Sequence, residues 1–292
     1  MKLRFVSVVV SFIVSFNVSA LTIGSWNLDW LDGSSAYGPK RHKDDYLQMA
    51  DMFRRAHMDV MAFSEVGSKR VLRRVVGNHY LIEISHRASQ RGRGYYPQFT
   101  GFAIRAGIVY QRNSDLKLNV DHDDQLRNAV DITLYKRHHP YLRLLSVHLK
   151  SRCFYQSDNF SRSCHLLKLQ AIRLNQWIRH RKKEKLPFMI LGDFNRRMAN
   201  GKHHWFLKIL RSDYHHSTSL YLSTQGLHSH CWSRTSWGAM KQFRQYIDHI
   251  LYNQRVKRYV QSGSFRQITV PVSIAEKYHL SDHCPILIRL SD

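Results

Sequence analysis

Acidic residues are scarce in this chain: 21 Asp and Glu stand against 45 Lys and Arg, a formal net charge of +24 at pH 7. A deficit of this size, without long Lys or Arg tracts, spreads a positive field over the surface and raises the local concentration of polyanions. Nucleic acid is the natural partner, with anionic lipid and acidic polysaccharide as other polyanions of the same class. Cysteine is sparse as well. None of Cys153, Cys164, Cys231 and Cys284 has zinc-finger spacing, which excludes a small zinc-held module. No linker, repeat or low-complexity tract interrupts the chain, which excludes a solenoid or a string of domains. Its 292 residues, 43% hydrophobic, suffice for one large core.

Long apolar runs are missing too, apart from one at the start. Lys2 and Arg4 precede an apolar stretch from Phe5 to Phe16 that ends in Val18-Ser19-Ala20, the layout of an export signal with a small-residue cleavage site. About a dozen apolar residues fall short of the roughly 20 that a spanning helix needs. The reading is a signal peptide over residues 1–20 and a single domain over residues 21–292. Such a chain is exported to the periplasm or the medium as a monomer, without stable membrane insertion. Losing Lys2 and Arg4 leaves 43 basic residues against 21 acidic ones, a formal charge of +22. In an oxidising compartment four cysteines pair in three ways. Cys153 with Cys164 is the economical choice, because the loop from Phe154 to Ser163 would gain roughly 2 to 3 kcal/mol from restricted unfolded-state entropy. Cys231 would then be left to Cys284.

Short apolar runs alternate with helical patterns. Leu21 to Leu28 reads as a strand, and Tyr46, Met49, Ala50 and Phe53 fall at helical spacing within Lys43 to His57. Asp59 to Ser64 is a buried strand feeding Glu65, followed by strands at Phe102 to Tyr110, Ala129 to Tyr135 and Tyr141 to His148, the last two joined by a turn. Leu167, Ala171, Leu174 and Ile178 mark one face of a long helix ahead of the strand at Pro187. Further strands fit Tyr246 to Tyr252 and Pro285 to Leu290. Ser85 to Tyr96 and Gly226 to Gln245, rich in Arg, Gly, Ser and aromatics, read as surface loops able to grip phosphates and stack on bases. Hairpins mixed with strand-helix units predict two packed mixed sheets with outer helices.

Polar groups gather at the ends of these strands. Side chains two apart on a strand share a face, so Asn27 pairs with Asp29, Asp193 with Asn195 and His148 with Lys150. Asp248 and His249 point oppositely, and Asp248 is the one expected in a common site. Asn27, Asp29, Glu65 and Asp282 form an oxygen-donor set for Mg²⁺ or Mn²⁺, with Ca²⁺ sharing the same preference. Desolvating such a cluster is costly unless metal, phosphate or mutual hydrogen bonds satisfy it, which points to a phosphodiester-cleaving site.

Six segments, in this order, resemble the endonuclease/exonuclease/phosphatase superfamily, the group that contains deoxyribonuclease I. They are Ser25-Trp26-Asn27-Leu28-Asp29, Phe63-Ser64-Glu65-Val66, Ser146-Val147-His148-Leu149-Lys150-Ser151, Gly192-Asp193-Phe194-Asn195, Tyr246-Ile247-Asp248-His249 and Ser281-Asp282-His283-Cys284-Pro285. The resemblance implies a four-layered α/β sandwich, two packed mixed β-sheets flanked by helices, with its site at one end of the sheets. It implies Glu65 as the main metal ligand, helped by Asn27, Asp29 and Asp282. It further implies His283 as general base held by Asp248, His148 as proton donor or phosphate ligand, Asp193 as orienting group or rival base, and Asn195 as a donor to phosphate. Where deoxyribonuclease I braces the counterpart of His148 with a glutamate, this chain reads Ile104-Arg105-Ala106-Gly107. Arg105, Arg127 and Lys150 are instead expected on phosphate.

The function these readings imply is an exported, metal-dependent endonuclease that hydrolyses phosphodiester bonds of DNA or RNA with low sequence specificity. A phosphodiesterase for lipid head groups, of sphingomyelinase-like type, would use the same core, though no exposed apolar hairpin for membrane insertion is expected. A non-catalytic nucleic-acid-binding protein would keep the fold alone.

Overall fold

The computed structural model describes residues 20–33, 38–90, 96–123, 125–153, 161–201, 204–212, 219–235 and 237–291. The signal peptide expected over residues 1–20 lies almost wholly outside them. One six-stranded sheet has the order β13-β14-β1-β2-β4-β3, built from β1 (Leu21–Leu31), β2 (Val60–Val66), β3 (Tyr80–Ile84), β4 (Phe99–Arg105), β13 (Arg266–Gln267) and β14 (Ile286–Leu290). The other has the order β5-β6-β7-β8-β12-β9, from β5 (Tyr110–Arg112), β6 (Val130–Lys136), β7 (His139–His148), β8 (Phe188–Asp193), β9 (Leu220–Leu222) and β12 (Asp248–Asn253). β10 (Cys231–Arg234) and β11 (Met240–Phe243) pair as a separate hairpin.

Period-two alternation sorts each central strand between two cores. From β2, Val60 and Ala62 join β8 residues Met189 and Leu191 in the core between the sheets. The alternate β2 residues Met61 and Phe63 face α1 (Lys43–Ala56) and α2 (Lys69–Val76), with Tyr46, Met49, Phe53 and Leu72. On the far side, Phe188 and Ile190 pack against α3 (Arg162–Lys183) through Leu167, Leu174 and Ile178, and against α4 (His204–Arg211) through Phe206. The layers are therefore helix, sheet, sheet, helix. Two short helices, α5 (Gln254–Lys257) and α6 (Val272–Lys277), complete the outline.

Register positions the polar strand ends. β7 and β8 are parallel, a pairing that requires a crossover, here α3, and it sets His148 beside Asp193. β12 runs antiparallel to β8 and sets Asp248 beside the same Asp193. Three chemistry-bearing residues thus stand in one row. Gly192 has φ +144°, and a Cβ there would lie 1.9 Å from the Val147 carbonyl oxygen, so only glycine lets β8 approach β7 this closely.

Three expectations need correction. Phe102 to Tyr110 is not one strand: β4 ends at Arg105, the chain turns through Ala106 and Gly107 (φ +93°), and β5 joins the other sheet. Gly226 to Gln245 is not all loop, because it contains the β10–β11 hairpin. In Ser85 to Tyr96, His86–Gln90 form a 3₁₀ turn, and residues 91–95 lie outside the described residues. Both disulfides form, Cys153–Cys164 and Cys231–Cys284.

Candidate active site

Asn27 is the hinge of the site, because its carboxamide reaches across the gap between the sheets. Nδ2 donates to Glu65 Oε1 and to Asp193 Oδ2, each at 3.1 Å. Glu65 sits in a bulge of β2 at φ +58° and takes two more donors on Oε2, Gln98 Nε2 at 2.7 Å and the Trp30 amide at 3.1 Å. Asn27 Oδ1 accepts from the Asp29 amide at 3.0 Å. Placed this way, Asn27 turns its NH₂ toward both carboxylates and braces them, where its oxygen was expected on a cation.

Asp29 is reached by a left-handed step, φ +45°, and not by strand alternation. Arg41 Nη2 holds its Oδ2 at 3.3 Å, while Arg41 also donates to the carbonyls of Asp29, His279 and Leu280. Burial, then the charges of Asp282 and Glu65, push the Asp29 carboxyl up to about 7 against the pull of Arg41. Asp282 lies half-exposed on the loop before β14. Its neighbour Ser281 ties that loop to β1, donating to the Asn27 carbonyl at 2.6 Å and accepting from the His283 amide at 3.0 Å. Trp26 Nε1 adds a bond to the His283 carbonyl at 3.0 Å.

His283 is clasped through Nδ1 by Asp248 Oδ2, leaving Nε2 facing Asp282 Oδ1 at 3.7 Å and Asp193 Oδ2 at 3.9 Å. Burial lowers the basicity of His283, but Asp248, Asp282 and Asp193 outweigh it and hold the imidazole well above its ordinary value. Asp193 moves toward it from the other side: burial and then Asp248 push its carboxyl up to about 7. Asn195, at φ +51° beyond β8, gives its amide to Asp193 Oδ1 at 2.7 Å. Its Nδ2 donates to the Leu149 carbonyl at 3.0 Å and to Asp193 Oδ2 at 3.3 Å. Both carboxamide hydrogens are committed, so Asn195 as placed braces Asp193 instead of offering a donor to phosphate.

On the opposite wall, His148 Nε2 lies 3.6 Å from Glu65 Oε1 and 3.7 Å from Asp193 Oδ2. Arg127 Nε donates to His148 Nδ1 at 3.1 Å, so the ring nitrogen that an acid would brace is held by an arginine. Arg127 Nη2 also lies 2.5 Å from His148 Nε2, so the guanidinium covers both ring nitrogens. Burial and Arg127 hold His148 well below its ordinary value, in the neutral form. Lys150 follows two residues on, and burial, then Arg127, depress its ammonium.

Not every expected residue arrives. Arg105 closes β4 at the end where β2 begins and pairs with Asp59 Oδ1 at 2.9 Å, whereas Glu65 lies near the other end of β2. The antiparallel register of β2 and β4 puts Arg105 at the wrong end of the sheet. His249, set aside in favour of Asp248, is buried between Thr224 Oγ1 and the Arg196 carbonyl, each 2.6 Å away. Gln98 and Arg41 were missed. Both sit in irregular segments without a periodic signal, and nothing in the sequence ties them to Glu65 or Asp29.

Among the described residues, no three imidazole, thiolate or carboxylate groups converge as a closed metal cage. Glu65, Asp29 and Asp282 are the acids that do gather, and Asp29 is raised by burial first and by the charges of Asp282 and Glu65 after it. A cluster of oxygen donors of this kind suits a hard divalent cation, and Mg²⁺ in particular binds through one or two carboxylates with water completing its shell.

A model described as the Endonuclease/Exonuclease/phosphatase family matches residues 24–283. Similar solved structures include truncated Caenorhabditis elegans TDP2, with 14% identity, a TM-score of 0.60, and coverage of 94% of this chain and 98% of that one. D. rerio TDP2 complexed with single strand DNA product has 15% identity and a TM-score of 0.61, covering 94% of this chain and 100% of the other. An endonuclease/exonuclease/phosphatase family protein from Bacteroides thetaiotaomicron has 16% identity and a TM-score of 0.57, with 93% and 98% covered. No curated protein sequence matches the chain.

Proposed function

The chain belongs to the endonuclease/exonuclease/phosphatase family, and from that footing we propose that it is an exported, divalent-metal-dependent endonuclease acting on DNA or RNA with little sequence preference. One observation carries the reading: a His283–Asp248 pair, Asp193, His148 and Glu65 meet at one end of the two packed sheets, in a strongly cationic chain. Phosphodiester hydrolysis needs an in-line water, neutralisation of charge on the phosphoryl oxygens and protonation of the departing alkoxide. A cation at Glu65 and Asp282, Mg²⁺ or Mn²⁺ with Ca²⁺ as a further candidate, would supply the neutralisation.

The chain's own groups supply the proton transfers. Asp248 fixes the His283 tautomer and aims Nε2 at the open side of the site. Burial raises Asp193 to about 7, where it can exchange a proton near neutral pH, whereas the carboxylates around His283 hold its proton and a cation that weakens their field would free it to act as base. His283 is the first candidate base and Asp193 the second. His148, neutral and covered by Arg127 at both ring nitrogens, is the candidate group on phosphate or the leaving oxygen.

The test incubates the mature protein with plasmid DNA and with total RNA, in Mg²⁺ and in EDTA. Cleavage in Mg²⁺ that EDTA stops is the expected result, and intact polymers in every tube would sink the proposal. Release of head groups from vesicles with no nucleic-acid cleavage would establish the lipid phosphodiesterase instead. Export is supported by the two disulfides and by the leader sequence. No helix among the described residues is long and apolar enough to cross a membrane.

A further inference from the structure

The β10–β11 hairpin takes no part in the chemistry above, yet it is fastened to the catalytic edge. Cys231, its first residue, is bonded to Cys284, the residue after His283. Along the hairpin runs a groove of about 700 Å³ that reaches Asp248, Asp282 and His283. Arg197, Lys241 and Arg244 line it, all exposed, and none has an acidic partner among the described residues. The acids on its lining are Asp248 and Asp282, which belong to the catalytic site. Phe243 lines the same groove at 41% exposure, with Lys241 Nζ 5.5 Å from its ring centroid. Thr235 Oγ1 and Gln245 Oε1, also on the lining, are buried without a partner. Arg234 differs, since its guanidinium is bonded to the Gly238 and Glu276 carbonyls and shapes the hairpin.

We propose that this groove is a subsite for one strand of nucleic acid leading away from the scissile phosphate, with Arg197, Lys241 and Arg244 on its backbone and Phe243 beneath a base. The inference rests on the nuclease reading and deepens it. Unpaired cations interleaved with an exposed ring are how proteins hold an unpaired strand, because every base offers a face to stack. The cations line the groove up to His283 and are not confined to the hairpin tip. That tip carries one large apolar side chain, Trp237, 94% exposed, too little for a membrane plug.

The test measures binding of a labelled 12-nucleotide single strand and of an equal duplex in EDTA, against salt. The proteins are wild type, Arg197→Gln/Arg244→Gln, Phe243→Ala, Trp237→Ala, and a control, Lys183→Gln/Lys185→Gln, which lies at the other end of β8. Thermal melting monitors the fold. The arginine pair is expected to lower the slope of log K against log salt by about 1.4, the value for two contacts on a single strand. Phe243→Ala is expected to weaken the single strand roughly 5- to 150-fold and the duplex less. Unchanged binding in both variants, or an equal fall in the lysine control, overturns the subsite. Wild-type binding to phosphatidylserine vesicles that Trp237→Ala abolishes, with oligonucleotide binding intact in every variant, overturns it in favour of a membrane surface. A wild type that neither binds nor cuts nucleic acid defeats the nuclease reading itself, whereas cleavage with unimpaired groove variants defeats the subsite alone.

Discussion

His249 shows what burial does to a single side chain. It has no room for charge: burial holds its imidazole at about 4, although the Arg196 carbonyl and Asp248 pull the other way. The sign follows from linkage. A histidine depressed when folded binds its proton more readily in the unfolded chain, so its contribution is intact above about 6.5 and is lost as pH falls from there toward 4. The full penalty is about 3 kcal/mol. Urea unfolding of wild type and His249→Gln at pH 7.5, 5.5 and 4 should show the gap between them shrinking or reversing with acid; a gap independent of pH contradicts it. The catalytic residues give a second prediction. Asp193→Ala and His283→Ala should each lower nuclease turnover about 10²- to 10⁴-fold while the strand still binds, as loss of a proton-transfer group does. Unimpaired cleavage by either variant would move the site elsewhere. These residues were legible because Asp193 ends one apolar strand and His283 shortly precedes another. Asp29 and Asn195 were placed in the site for the wrong reason: both sit at positive φ, where period-two alternation has ended.

At the scale of elements, apolar runs and helical spacing located the cores well, since α1, α3, β7 and β8 follow their hydrophobic pattern closely. The sites where pattern failed are those where another force decides. A continuous run from Phe102 to Tyr110 hid a turn at Ala106-Gly107 that sends the chain from one sheet to the other. Four-residue polar strands hid the β10–β11 hairpin, which hangs on Cys231–Cys284 and not on an apolar face. The two disulfides should therefore act differently. Cys153–Cys164 spans 11 residues and Cys231–Cys284 spans 53. Chain entropy assigns them up to about 3 and about 4 kcal/mol. Replacing each pair by alanine should lower the urea midpoint in that order. Only loss of Cys231–Cys284 should also lower cleavage of long single strands, because it frees the hairpin beside His283; equal activity in both variants would remove the hairpin from the reaction.

Over the whole molecule, charge and cleft act together. A formal +24 on the chain draws polyanions from a distance that shrinks with salt. Glu65, Asp29, Asp193, Asp248 and Asp282 gather at the site, where burial first and neighbouring carboxylates second raise Asp29 and Asp193. A basic exterior around an acidic centre separates two dependences that a purely electrostatic binder would merge. Polymer capture should weaken with monovalent salt, and two phosphate contacts on duplex alone give about a tenfold loss between 50 and 200 mM. Hydrolysis of a short diester such as bis(p-nitrophenyl) phosphate has little polyanion to capture and should barely respond over that range. EDTA should abolish both, and Mg²⁺ or Mn²⁺ restore both. Measuring the two substrates against salt and against chelator on one preparation separates the exterior from the centre. Equal salt sensitivity would mean that the surface charge acts on the reacting groups themselves. EDTA-resistant hydrolysis would leave Glu65 and Asp282 without the cation proposed for them.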